Sequence, residues 1–109
     1  MSWLVCQDRV LATLEVADTW KSRAKGVLGR DGIEGALLIR PAFSVHTFGV
    51  RFVLDVAYCD GDLNVIDVVT MKPNRVGMPR LRARAVLEAP KGSFERWGLV
   101  AGDQLEVRQ

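Results

Sequence analysis

Apolar positions along the chain fall in short runs, each cut off within a few residues by glycine, proline, asparagine or aspartate, which is the signature of strands and turns rather than of long helices. Trp3 to Gln7 and Val10 to Val16 are two such runs, and Asp8-Arg9 between them suits a hairpin. Asp18 or Thr19 offers an N-cap oxygen, and Trp20, Ala24 and Val27 or Leu28 recur at helical spacing, predicting a short helix over Asp18 to Lys25 that Gly26 ends. Ala36 to Ile39 is an apolar strand stopped by Pro41, since proline cannot donate to a ladder. Phe52 to Cys59 and Leu63 to Met71 flank Asp60-Gly61-Asp62, the clearest hairpin signal, with Val65, Asp67 and Val69 alternating against Asn64, Ile66, Val68 and Thr70. Lys72 to Pro79 reads as a loop. Leu81 to Glu88 reads as a strand carrying Arg80, Arg82 and Arg84 on one face. Ser93 caps a single helical turn to Trp97, closed by Gly98, and Gln104 to Arg108 forms the last strand. The fold class that follows is mainly β: a compact β-sandwich or partly open barrel with one short N-terminal helix and one further helical turn.

Length and composition narrow this to one domain over residues 1–109. A chain of this size buries roughly two-thirds of the surface its unfolded form exposes, and 49% hydrophobic with 26% charged residues is ordinary globular composition. The net charge of +2 is too small to name nucleic acid or membrane as a partner. No run approaches the roughly eighteen apolar residues of a membrane span, and the N-terminus lacks a basic leader with a long apolar core, so a cytoplasmic protein is expected. Cys6 and Cys59 stand far apart and outside any C-x-x-C pair, and read as small buried apolar side chains.

Few residues carry chemistry. The glycines from Gly29 to Gly35 lack the phosphate-loop pattern and read as turns. His46 is the only histidine, and with two separated cysteines no ligand spacing for a metal exists; no cofactor is implied. Lys72, Arg75, Arg80, Arg82 and Arg84 lie in a stretch without acids from Val68 to Leu87, but no aromatic residue interleaves them, which argues against nucleic acid. Two carboxylates interrupt apolar runs, Asp55 in Phe52 to Tyr58 and Glu88 in Ala85 to Pro90. A charge there is costly unless paired, and Arg51, Arg23 or His46 could partner Asp55. If both carboxylates faced one pocket they could divide acid and base work between them.

The segments Arg23 to Arg30, His46 to Val56, Val86 to Gly92 and Gly98 to Asp103, in this order and spacing, make the chain resemble the bacterial and archaeal domain-of-unknown-function family 192 from about Leu11 to Val107. The resemblance implies a compact β-sandwich or barrel with a short helix near the N-terminal hairpin, and no established activity. Positions matching its pattern are Arg23, Gly26, His46, Thr47, Arg51, Asp55, Glu88, Gly92, Gly102 and Asp103; Val50 and Val53 stand where relatives commonly carry Met and Pro. The expected site is a polar cleft of His46, Thr47, Arg51, Asp55, Glu88 and Arg23, serving a non-catalytic binding or accessory module whose partner is a small molecule or a protein. The alternatives are a small hydrolase or lyase using Asp55 or Glu88 with His46, and a purely structural or interaction module.

Overall fold

The computed structural model describes residues 1–109. Seven strands form in chain order, β1 (Ser2–Cys6), β2 (Arg9–Ala17), β3 (Ala36–Ile39), β4 (Leu54–Cys59), β5 (Val65–Met71), β6 (Ala85–Pro90) and β7 (Glu106–Arg108), with helices α1 (Trp20–Lys25) and α2 (Ser93–Trp97). They hydrogen-bond into one sheet of order β5-β4-β6-β3-β2-β1-β7. All pairs are antiparallel except β2 with β3, which run parallel because the connection between them crosses over through α1.

Alternation along the central strands sorts the apolar residues into two clusters, one on each face of the sheet. Leu4, Leu14, Leu38, Ala57, Leu87, Phe94 and Leu105 belong to the first, and Leu37, Ile39, Leu54, Val56, Tyr58 and Val86 to the second. The sheet coils around the first cluster until its two ends meet. There Asn64 bridges Gln104, the Val65 amide donates to the Asp103 carbonyl at 2.7 Å, and the Gly102 amide donates to the Val65 carbonyl at 2.8 Å. Of the two forms expected, the sheet takes the partly open barrel, not closed by a continuous ladder. The second cluster lies on the outside of this coil, covered by the segment around α1 and by the long connections on either side of β4 and β5.

Several boundaries shift from the sequence expectation for identifiable reasons. The helix starts at Trp20, since Thr19 and Ser22 form a reciprocal capping box. None of its six residues is buried and Trp20 is 79% exposed; Val27 and Leu28, just beyond Gly26, pack the segment onto the sheet instead. A bulge, where Tyr58 faces Asp67 but Cys59 faces Val65, puts Val65 and Asp67 on opposite faces. The strand predicted from Leu81 begins only at Ala85, so Arg80, Arg82 and Arg84 form no strand face. Arg80 instead stacks 4.3 Å over the Tyr58 ring and pairs with Asp67 at 2.7 Å, pinning the 72–84 connection to β4 and β5. That hydrogen bond holds the Asp67 carboxyl below its ordinary range. Gly77 lies so close to the Tyr58 hydroxyl that a Cβ there would collide with it and crowd the Val45 carbonyl.

Asp55 finds its partners on the first face, and they are not the cations expected. Its Oδ2 accepts from the amides of Gly92 and Phe94, each at 3.0 Å, and its Oδ1 accepts from the Thr70 hydroxyl at 3.3 Å. The N-cap residue of α2, Gly92, has no side chain to satisfy the orphan amides of the first turn. Asp55, 6% exposed on β4, performs that service from another strand.

Asp55→Ala is expected to lower stability by about 2–4 kcal/mol, because a buried amide, a half-buried amide and a hydroxyl lose their acceptor. Denaturant unfolding measures this, and an unchanged midpoint would contradict the capping role. Cys59 is fully buried on β4 and burial pushes its thiol up to about 12. Native protein should therefore resist alkylation at Cys59 at pH 8, with labelling only at the rate of unfolding; mass spectrometry of a timed reaction reads this directly.

Candidate functional site

The second face of β6 carries the second carboxylate. Ala85, Leu87 and Ala89 point to the first cluster, which leaves Val86 and Glu88 on the other side. The cross-strand neighbours of Glu88 are Leu37 on β3 and Val56 on β4, both members of the second cluster. Glu88 is 3% exposed, its Oε1 has no hydrogen-bond partner, and burial alone raises its carboxyl to about 7. Asp55 and Glu88 therefore lie on opposite faces of the sheet. The single pocket containing both does not form.

Glu88 opens instead onto a cavity of about 650 Å³ between the sheet, the α1 segment and the 41–50 connection. Ten of its eighteen lining residues are hydrophobic, among them Val27, Ile39, Ala42, Val50 and Ala83. This is the size and wall chemistry of a small-molecule site. Trp20 and Phe43, 79% and 54% exposed, also line it and present aromatic surface to solvent.

Two further expected site residues share this cavity. Arg23 donates from Nη1 to the Pro41 carbonyl at 3.0 Å, tying α1 to the 41–50 connection, while its buried Nε has no partner. His46 lines the cavity as well; its Nδ1 accepts from the Phe48 amide at 3.3 Å. Lys25, Ser44 and Arg84 complete the polar lining. The Arg84 Nη1 is held by the Leu81 and Ala83 carbonyls at 2.9 and 2.8 Å. No hydrogen bond joins Ser44, His46 and Glu88, and no group of three His, Cys, Asp or Glu side chains converges anywhere in the chain.

The other expected residues lie elsewhere. Thr47 is fully buried and clamps the two long connections together: its hydroxyl donates to the Lys72 carbonyl at 2.6 Å and accepts from the Arg75 amide at 2.8 Å, while its own amide donates to the Arg75 carbonyl. This holds the 41–50 wall in place without reaching the cavity. Arg51 is 59% exposed and pairs with Asp31, itself 91% exposed, at 3.0 Å, a surface contact worth about 0–1 kcal/mol. Sequence reasoning missed the apolar members. Val50 and Ala42 lie in segments too irregular for periodicity to assign a face, and the isolated apolar residue Phe43 followed by Ser44 gave no pattern.

A Pyrococcus horikoshii protein, UPF0127, is 31% identical over 98 residues, 85% of each chain, and a UPF0127 protein of Pyrococcus abyssi is 30% identical over 98 residues, 85% of this chain and 84% of its own. Among solved structures, a Novosphingobium aromaticivorans protein of unknown function superposes with TM-score 0.80 at 22% identity, covering 96% of this chain and 82% of the other. A Sinorhizobium meliloti chain described as a candidate transcription regulator gives TM-score 0.81 at 19% identity, over 97% and 91%. At these identities the two structures establish a common fold. Residues 4–107 match the family DUF192, described as uncharacterized ACR, and with the Pyrococcus relatives this makes the chain a member of that family, as its segments from Arg23 to Asp103 suggested.

Proposed function

We propose that the protein is a non-catalytic binding module, active in the cytoplasm, that takes a small and largely apolar molecule into the cavity floored by Glu88. What supports this reading above all is one observation: Glu88, a residue 3% exposed with a buried carboxyl oxygen that has no partner, lines a cavity whose wall is mostly apolar. A buried polar atom left unsatisfied costs stability, and such costs are kept where function needs them. The unpartnered Nε of Arg23 in the same lining adds a donor to the acceptor that Glu88 provides. Both cysteines are free and buried, which fits a reducing compartment.

A second reading has Glu88 acting with His46 as acid and base, because both line the same cavity while Asp55 is engaged elsewhere. It requires a turnover that Glu88→Gln and His46→Ala each abolish. Binding is favoured because nothing orients His46 toward a nucleophile or toward Glu88.

Two outcomes are expected. Ala42→Phe fills the cavity from a half-buried position whose amide stays bonded to the Arg84 carbonyl. It should fold as the native chain does and lose the thermal stabilisation that apolar amphiphiles give the native protein; retention of that stabilisation would place the ligand elsewhere. The second outcome concerns pH. Ionisation of Glu88 is opposed only in the folded state, so its contribution is full below the unfolded value near 4.5 and is lost as pH rises toward about 7. Glu88→Gln should match the native protein at pH 4 and exceed it by about 3 kcal/mol at pH 8. Denaturant midpoints at the two pH values check this, and a difference independent of pH would count against a buried, uncompensated carboxyl.

A further inference from the structure

We propose that the ligand of this cavity carries a protonated or hydrogen-bond-donating nitrogen on an apolar body, with the nitrogen seated on the Glu88 carboxyl. This rests on the cavity being a ligand site and names the chemistry that completes it. The Oε1 of Glu88 can only accept once the carboxyl is ionised, and the protein supplies it with no donor. Its neighbours on either side, Leu37 and Val56, are aliphatic, so nothing on β3 or β4 stands in for one.

The charged and titratable groups around the cavity are Arg23 and Lys25 from the α1 segment, His46 from the 41–50 connection and Arg84 from the connection before β6. Glu88 makes no ion pair with any of these cations, and burial alone acts on its carboxyl. Arg23 and Arg84 already spend donors on carbonyls, and Lys25 and Arg84 are exposed. Lys25 and Arg84 belong to the mouth, where water and salt weaken any pull on an anion, while Arg23 keeps its Nη1 on the Pro41 carbonyl and its buried Nε unpartnered. The deep end offers an acceptor and the mouth offers the exposed rings of Trp20 and Phe43. An amine entering with its nitrogen inward gains the partner that Glu88 lacks, while its alkyl body covers the apolar wall. An alkyl carboxylate entering the same way would set two acids against each other.

Octylamine, octanoate and octanol, matched in body and differing in head, separate the possibilities when titrated against the whole chain by calorimetry at pH 8. Octylamine is expected to bind at least tenfold more tightly than either of the others, and Glu88→Gln should erase that margin. On the native protein its affinity should rise about tenfold per pH unit from pH 5 toward 7 and level off above, since binding the ammonium requires the carboxyl to lose its proton, while octanol shows no such slope. This second measurement needs no variant. Equal or tighter binding of octanoate or octanol, or a flat pH profile for octylamine, would overturn the nitrogen inference and leave the cavity as an apolar ligand site. Failure of all three to bind would overturn both.

Discussion

A sheet buried on both faces leaves no room for a charged side chain without a reason, and that constraint governs this protein. The three adjoining strands β4, β6 and β3 are apolar on both sides, with Leu54, Val56, Leu87 and Leu38 almost wholly withdrawn from water. Each carboxylate placed in them must be matched by donors or bear the cost of burial. Asp55 and Glu88 stand on adjacent strands, yet their fates differ because alternation sends them to opposite faces. Asp55 meets the start of a five-residue helix whose own cap is a glycine, and its two oxygens are filled. Glu88 meets hydrocarbon and an open cavity.

The remaining architecture serves to build that cavity. Parallel pairing of β2 with β3 requires a crossover, which lays the α1 segment over the outer face of the coiled sheet. The 41–50 connection forms another wall, held to the 72–76 segment through Thr47 and to α1 through Arg23. Arg80 and Gly77 fix the adjoining connection against Tyr58. Polar residues that looked like a single site along the sequence thus divide their labour: Thr47 and Asp55 secure the frame, Arg51 makes a surface pair, and Glu88, Arg23 and His46 reach the hollow.

Much of this was legible before any coordinates. The short runs broken by turn residues gave the mainly β class, Asp60-Gly61-Asp62 gave the β4–β5 hairpin, and Gly26 and Gly98 gave the helix ends. Asp55 and Glu88 stood out because a carboxylate in an apolar run demands an explanation. What the pattern could not supply was which face each occupied, since a strand buried on both sides shows no alternation to read. The bulge at Ile66 and the irregular path of residues 72–84 were invisible for a related reason: local spacing does not record where tertiary partners such as Asp67 and Tyr58 will hold the backbone. The parallel strand pair likewise depends on a contact between runs separated by a helix and a glycine-rich turn.

The resident property from which the binding reading grows is a carboxyl on β6 that the fold surrounds with hydrocarbon and leaves without a donor. A site-resolved ¹³C NMR titration of the Glu88 side-chain carboxyl in the unliganded native protein tests it most directly. Burial of this carboxyl predicts a midpoint near 7, well above an ordinary glutamate. A midpoint in the usual range near 4.5 would mean that Glu88 is hydrated or paired in solution, and the cavity would lose the feature that marks it as a site.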